Sequence, residues 1–155
     1  MLRTDREITD FDDLRTIIEN GEIINTAIMD SPAPYVVPTN YAYEFDGTHL
    51  TLYLHGAAKG KKWALIANDP NVSFSIVYEA HLEADAHTIY YESILGTGNA
   101  ILVTDLESKE HALRLLLKKE LGYFDGTLDP VDLAQVGIIK IDVIAYTGKR
   151  HNAAH

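Results

Sequence analysis

Tyr35-Val36-Val37-Pro38-Thr39-Asn40-Tyr41-Ala42-Tyr43-Glu44-Phe45, then Asp46-Gly47, then Leu50-Thr51-Leu52-Tyr53-Leu54 reads as an antiparallel hairpin. The first run is rich in Tyr and Val, residues that suit a pleated, half-buried surface. Pro38 has no N–H to give a ladder, so it belongs at an edge or a bulge. Asp46-Gly47 predicts a two-residue turn, because glycine tolerates the positive φ that such turns require.

The rest of the chain repeats this pattern on either side. Ile23–Met29 is apolar enough for a buried strand, and Ser31-Pro32-Ala33-Pro34 breaks it. Val72–Tyr78 predicts another strand and the polar stretch 79–87 a loop. Ile89–Val103 is a long strand in which Gly96 and Gly98 invite a bend or bulge. Val136–Tyr146 completes six strands. Helices are few: Phe11–Asn20 after a Thr9 or Asp10 cap and ended by Gly21, about Lys61 to Asn68, Leu106–Leu121 capped by Asp105, and a brief one at Asp129-Pro130. Leu106, Leu113, Leu116, Leu117 and Leu121 are the apolar positions expected on one face of the third. Strands joined by hairpins with peripheral helices predict a mainly β, antiparallel barrel rather than a doubly wound sheet.

The chain has 155 residues, which suits one domain, and a formal net charge of −10. No apolar run approaches the ~20 residues of a membrane-spanning helix. An acidic protein lacks the basic face that nucleic acid needs, so no nucleic-acid partner is expected. Cysteine is absent, which excludes disulfides, thiolate metal sites and a cysteine nucleophile. The charged start of the chain is not a secretory leader, and the expected location is cytoplasmic.

Against this acidic background, His55-Gly56-Ala57-Ala58-Lys59-Gly60-Lys61-Lys62 gathers three of the thirteen Lys and Arg residues. A strand, a glycine-bearing loop and a helix start together aim backbone N–H groups and the helix dipole at one point. Lysines there add point charges, and the segment reads as a phosphate anchor. It is not a P-loop, since the spacing and the Lys-Ser/Thr ending are missing.

Other motifs carry less. Gly96-Thr97-Gly98 runs into a strand rather than a helix, which excludes a dinucleotide fingerprint. His81, Glu83, Asp85 and His87 alternate, but lie in the predicted loop and imply no ordered ligand shell; no metal is expected. His151 and His155 read as a tail. No Gly-x-Ser-x-Gly elbow occurs. By residue chemistry alone, Val37–Tyr41 is an edge strand, and Glu92 and Ser93 fit either a polar strand face or a cleft. Trp63 falls on an apolar helix position and reads as core.

The order of these motifs resembles the FMN-binding split-barrel family of pyridoxamine 5′-phosphate oxidase, and within it the nitroimidazole-resistance (Nim-type) flavoproteins. The resemblance rests on Tyr35–Tyr41, Asp46-Gly47, Leu52–Ala57, Gly60-Lys61-Lys62, Asn71-Val72-Ser73-Phe74, Tyr91–Ala100 and Tyr146-Thr147-Gly148-Lys149. It implies a six-stranded split barrel, a homodimer with FMN at the subunit interface, and a small-molecule substrate. Lys61 and Lys62 would take the FMN phosphate, with His55 and Gly56 beside it and His55 delivering a proton. Pro38, Thr39, Asn40 and Tyr41 would line the flavin, and Glu92 and Ser93 would approach it across the interface. Relatives with this barrel also include F420-dependent reductases and flavin- or haem-binding modules without catalysis. The arginine- and histidine-bearing carboxyl-terminal signature of true pyridoxamine phosphate oxidases is not visible. Asp30-Ser31-Pro32-Ala33-Pro34-Tyr35 stands where relatives show Asp-Gly-x-Pro-Tyr, which changes the cleft wall there.

Overall fold

A computed structural model describes residues 4–85 and 87–151. After a 3-10 turn at Thr4–Arg6, the elements are β1 (Glu7–Ile8), α1 (Phe11–Asn20), β2 (Ile24–Ile28), β3 (Tyr35–Thr39), β4 (Tyr41–Phe45) and β5 (Leu50–Ala57). They continue with α2 (Lys61–Asn68), β6 (Asn71–Glu83), β7 (Thr88–Val103), α3 (Leu106–Leu121), α4 (Pro130–Gln135) and β8 (Val136–His151). Every described pairing is antiparallel. The sheet runs β3-β2-β6-β7-β8-β5-β4, with β1 added beside β8. The architecture is the mainly β antiparallel barrel with peripheral helices that the hairpin pattern predicts, of the split type that the resemblance implies.

Eight strands replace the expected six, for two local reasons. The 35–45 run is interrupted at Asn40, so its halves pair at opposite ends of the sheet, β3 with β2 and β4 with β5. That junction brings the two ends of the sheet together. Glu7–Ile8 contributes the other short strand, paired with Lys149 and Gly148. Pro38 does sit on an edge strand, its nitrogen needed by no further neighbour.

The β4–β5 turn centres on Gly47-Thr48 rather than Asp46-Gly47. Gly47 takes the positive φ (101°), while Asp46 Oδ1 accepts from Thr48 N, Thr48 Oγ1 and His49 N. The side chain thus closes the turn. The expected loop at 79–87 is mostly strand: β6 runs on to Glu83 through a bulge between Tyr78 and His81, at which Glu79 adopts a positive φ. His81 lies on this arm with its ring edge-on to Tyr90. His151 is not tail but the end of β8, its Nδ1 2.8 Å from Ile89 O; His155 lies outside the described residues.

One core fills the barrel, built from Leu50, Leu52 and Leu54 of β5 with Phe74, Ile76, Ile94 and Ile141, and closed by Leu14, Ile17 and Ile18 of α1. Ile17 and Ile18 are fully buried, each contributing roughly 1.5–3 kcal/mol through removal from water. A second cluster on the other side of β4 and β5 joins Ala42, Tyr53 and Ile138 to Ala112 and Leu116 of α3. The buried face of α3 is therefore Lys109, Ala112 and Leu116, whereas Leu106 and Leu121 are exposed, contrary to the leucine face expected. Lys109 is inside because its Nζ lies 3.4 Å from Leu133 O and Ala134 O, the carbonyl end of α4. There its charge meets the negative end of a helix dipole.

Candidate functional site

The site forms where β5 ends and α2 begins. His55 and Gly56 lie in the last stretch of pairing before the loop, opposite Ile138 and Gly137 of β8, and Ala57 opposite Val136 ends the ladder. Gly60 takes φ 111° to turn the chain into α2, and Trp63 Nε1 donates back to Ala57 O at 2.6 Å, pinning the loop. Trp63 also packs against the main core, so its apolar position is structural as well.

Helices α1, α3 and α4 each begin with an aspartate whose side chain accepts from a first-turn N–H. Helix α2 begins at Gly60 with no side-chain cap. Its first N–H groups are left for another acceptor, and the positive end of its dipole is uncompensated.

The two lysines at this helix start differ. Lys61 is committed: its Nζ is 2.7 Å from Asp30 Oδ2 and 4.6 Å from the centre of the Tyr35 ring. That hydrogen bond holds the Asp30 carboxyl below its usual range and raises the Lys61 ammonium. Lys62 is half-buried, and its Nζ lies over Gly56 in the space a Cβ would fill. It makes no ion pair among the described residues, and burial alone lowers its pKa. His55 is pushed down too, first by burial and then by the Lys62 charge, which puts the imidazole in its neutral form near pH 7.

A half-buried ammonium without a counter-ion, over a bare glycine and beside an uncapped helix start, suits a phosphate. The junction between the sheet ends adds a further unfilled group. Thr39 Oγ1 is buried without a hydrogen-bond partner, next to exposed Pro38 and part-buried Asn40. These features fit a cofactor with a phosphate tail and polar ring atoms.

Three further expected residues have other side-chain surroundings within the chain. The Tyr41 side chain is fully buried and donates its hydroxyl to Ile18 O at 2.7 Å, so it belongs to the core and only its main chain faces the junction. Glu92 is bound within its own chain by Arg150, which also donates to Asp13 Oδ2 at 2.9 Å. Ser93 lies between Val77 and Lys149 on the outward sheet face. Both sit near the end of β8 opposite to the His55 end, so a single chain does not bring them to Lys62. Asp30 and Tyr35 were read from the sequence only as part of an altered cleft wall; their contacts with Lys61 were missed, because nothing in the sequence pairs that segment with the α2 start.

Comparison with known proteins gives the family. The family model described as pyridoxamine 5′-phosphate oxidase matches residues 10–150. The chain belongs to the pyridoxamine 5′-phosphate oxidase family. This fold family binds flavins, and the match spans every element from α1 through nearly all of β8. Among solved structures, a putative 5-nitroimidazole antibiotic resistance protein from Bacteroides thetaiotaomicron shares 27% identity. It matches with a TM-score of 0.81 over 93% of this chain and 86% of its own. An FAD-binding protein from Mesorhizobium loti shares 20% identity at a TM-score of 0.68, over 95% of this chain and 98% of that one. The FAD and haem binding protein of Mycobacterium smegmatis shares 13% identity at a TM-score of 0.74, over 96% and 74%. No curated protein matches. Among the described residues no helix is long and apolar enough to cross a membrane.

Proposed function

We propose that this member of the pyridoxamine 5′-phosphate oxidase family is an FMN-dependent oxidoreductase of the nitroimidazole-resistance branch, acting as a homodimer on a small molecule. The observation that carries the reading is the Lys62 ammonium, half-buried over Gly56 with no counter-ion among the described residues. FMN suits it because its terminal phosphate would neutralise that charge and accept from the open N–H groups of α2. The Bacteroides relative supports the branch, since it is the 27% identical one and spans most of both chains.

When bound, FMN supplies the hydride or electron chemistry. The chain supplies position and protons. Lys62 holds the phosphate, while Lys61 and Asp30 tie the Asp30–Pro34 loop to the same helix start. His55, kept neutral by burial and by Lys62, accepts a proton at a ring nitrogen or donates its N–H. Thr39 offers its unpartnered hydroxyl to a polar ring atom.

The homodimer reading is supported by the outward face of the sheet. Val36, Ala27, Ser73, Ser75, Val77, Leu95, Thr97, Ala145 and Thr147 make up its middle, with Lys149 beside Ser93 at the margin. Leu95 and Val77 are 57% and 49% exposed. A sheet face whose middle is uncharged and whose charge lies at the margin suits an interaction surface. A second copy laid across it would bring the far end of β7, with Glu92 and Ser93, toward the partner's anchor.

Anaerobic mixing of the FMN-loaded protein with NADH or NADPH, followed by an acceptor such as a nitroimidazole, tests the assignment. Bleaching of the flavin and its recovery on adding acceptor are expected. A flavin that stays oxidised with both donors and, once reduced by dithionite, is not reoxidised by the acceptor would mark a binding module instead.

A further inference from the structure

Among the described residues, several tyrosine hydroxyls are spent on an oxygen acceptor. Tyr41 donates to Ile18 O, Tyr43 to Glu19, Tyr53 to Glu44 and Tyr123 to Asp125. Tyr91 is arranged the other way round. Its hydroxyl oxygen accepts from the Lys149 ammonium and from the Arg6 guanidinium. Lys149 Nζ also lies 5.5 Å from the centre of the Tyr91 ring. An oxygen that accepts from cations keeps its own O–H for a further partner.

The sheet register builds this cluster. Ser93 stands opposite Lys149 and Tyr91 opposite His151, so Tyr91 and Lys149 are diagonal neighbours on the outward face. Arg6 comes from the turn before β1, whose exposed Glu7 pairs with Lys149. The other charged groups nearby are engaged elsewhere. Glu92, next in the chain and so on the opposite face, is held by Arg150. Glu79, in the bulge of β6, takes the Tyr78 hydroxyl. The His151 ring is 6.0 Å from that of Tyr91, and its Nδ1 is directed at Ile89 O. Lys149 first, and Arg6 after it, hold the phenol below its ordinary value of 10.0.

We infer that Tyr91 is a proton donor of the reaction, contributed by each chain to the site of its partner. This rests on the FMN-dependent homodimer proposed above. In that site His55 is kept neutral, and a neutral imidazole gives up a proton poorly, so an acid has to come from elsewhere. A two-fold axis lying in the interface across the strands reverses their direction between copies. It sets the Tyr91 end of one sheet over the α2 end of the other. An axis along the strands would instead press Lys149 and Arg6 against their own copies. NADH or NADPH is the reductant. The substrate atom that gains the electron pair takes the proton as the phenol O–H breaks. The phenolate left behind faces Lys149 and Arg6, and water reprotonates it.

Tyr91→Phe removes only the hydroxyl, and FMN titration with a dimer mass shows that the site and the assembly persist. Acceptor turnover in this variant is expected to fall at least tenfold. Hybrid dimers, co-expressed with two tags, locate the donor. One chain carries Lys62→Ala and the other Tyr91→Phe, at an FMN concentration that leaves Lys62→Ala empty. Each parent homodimer should be nearly inactive, while the hybrid regains about half the unsubstituted rate through its one complete site. In flavin-free protein, the tyrosinate absorbance lost in Tyr91→Phe should show a midpoint below 10.0, raised in Lys149→Ala. Unchanged turnover in Tyr91→Phe, a hybrid as inactive as its parents, or a midpoint at or above 10.0 would each overturn the inference. An unsubstituted protein that holds no FMN or turns over no acceptor would overturn the proposed function, and this inference with it.

Discussion

Lys61 Nζ stands 2.7 Å from Asp30 Oδ2, whereas Lys62, next in sequence, has no carboxylate partner among the described residues. Adjacent lysines at one helix start thus stand in different environments. Lys61 fastens a loop, and in the proposed function Lys62 keeps its charge for the phosphate.

The two single variants should separate these roles. Lys62→Ala is expected to weaken FMN binding at least tenfold by fluorescence titration, the loss of about 1.4 kcal/mol or more for a charge-assisted phosphate contact. Lys61→Ala should weaken it less, because Asp30 already neutralises that charge. Equal effects would mean that both lysines face the phosphate.

Gly56 and Gly148 offer a contrast between function and stability. A Cβ at Gly56 meets the flexible end of Lys62, so Gly56→Ala should displace the ammonium and weaken FMN binding. Its melting temperature should hardly change. A Cβ at Gly148 meets Leu14 and Ile8 in the core, so Gly148→Ala should destabilise by about 1–3 kcal/mol in urea unfolding, as overpacking does.

The His55 titration carries a definite sign. Burial and the Lys62 charge both lower its pKa, so its NMR midpoint in the flavin-free protein should fall below 6.5. In Lys62→Ala the midpoint should rise, since one of the two causes is gone. Because the folded pKa is depressed, protonating His55 favours the unfolded chain. Its contribution to stability is present above pH 6.5 and is lost as pH falls toward the folded midpoint. A midpoint unmoved by the substitution would separate His55 from Lys62.

Arg150 ties α1 to the sheet by reaching Asp13 and Glu92 together. Arg150→Ala leaves the Glu92 carboxylate, 12% exposed, without its cation. A cost of about 1–2 kcal/mol is expected in chemical denaturation, as for other charged hydrogen bonds of partial burial. A change within a few tenths would show that water replaces the guanidinium freely.

Much of this was legible from the chain. Asp105 and Asp129 announced their helices because capping chemistry is local, and Pro38 announced an edge because it has no N–H. The lysine cluster at the α2 start, which we propose as a phosphate anchor, was legible as charge set against an acidic background. The break at Asn40 was not, because both flanking runs have strand-like composition and only closure of the sheet separates them. The β6 arm beyond Tyr78 was missed because it is largely solvent-exposed, so no apolar alternation marks it. Lys109 hid in the leucine pattern of α3, since its burial depends on the distant carbonyls of Leu133 and Ala134. The inward-facing Tyr41 was lost for the same reason: its partner, Ile18 O, belongs to another element.

The central claim is that Lys62 and its surroundings hold FMN, and the most direct measurement is on the purified protein. Its visible absorbance should show a flavin spectrum, and mass spectrometry of the released ligand should give FMN at about one per chain, as a single anchor in each chain predicts. A colourless protein that also takes up no added FMN would contradict the account, and a released haem or F420 would assign the same barrel to a different cofactor.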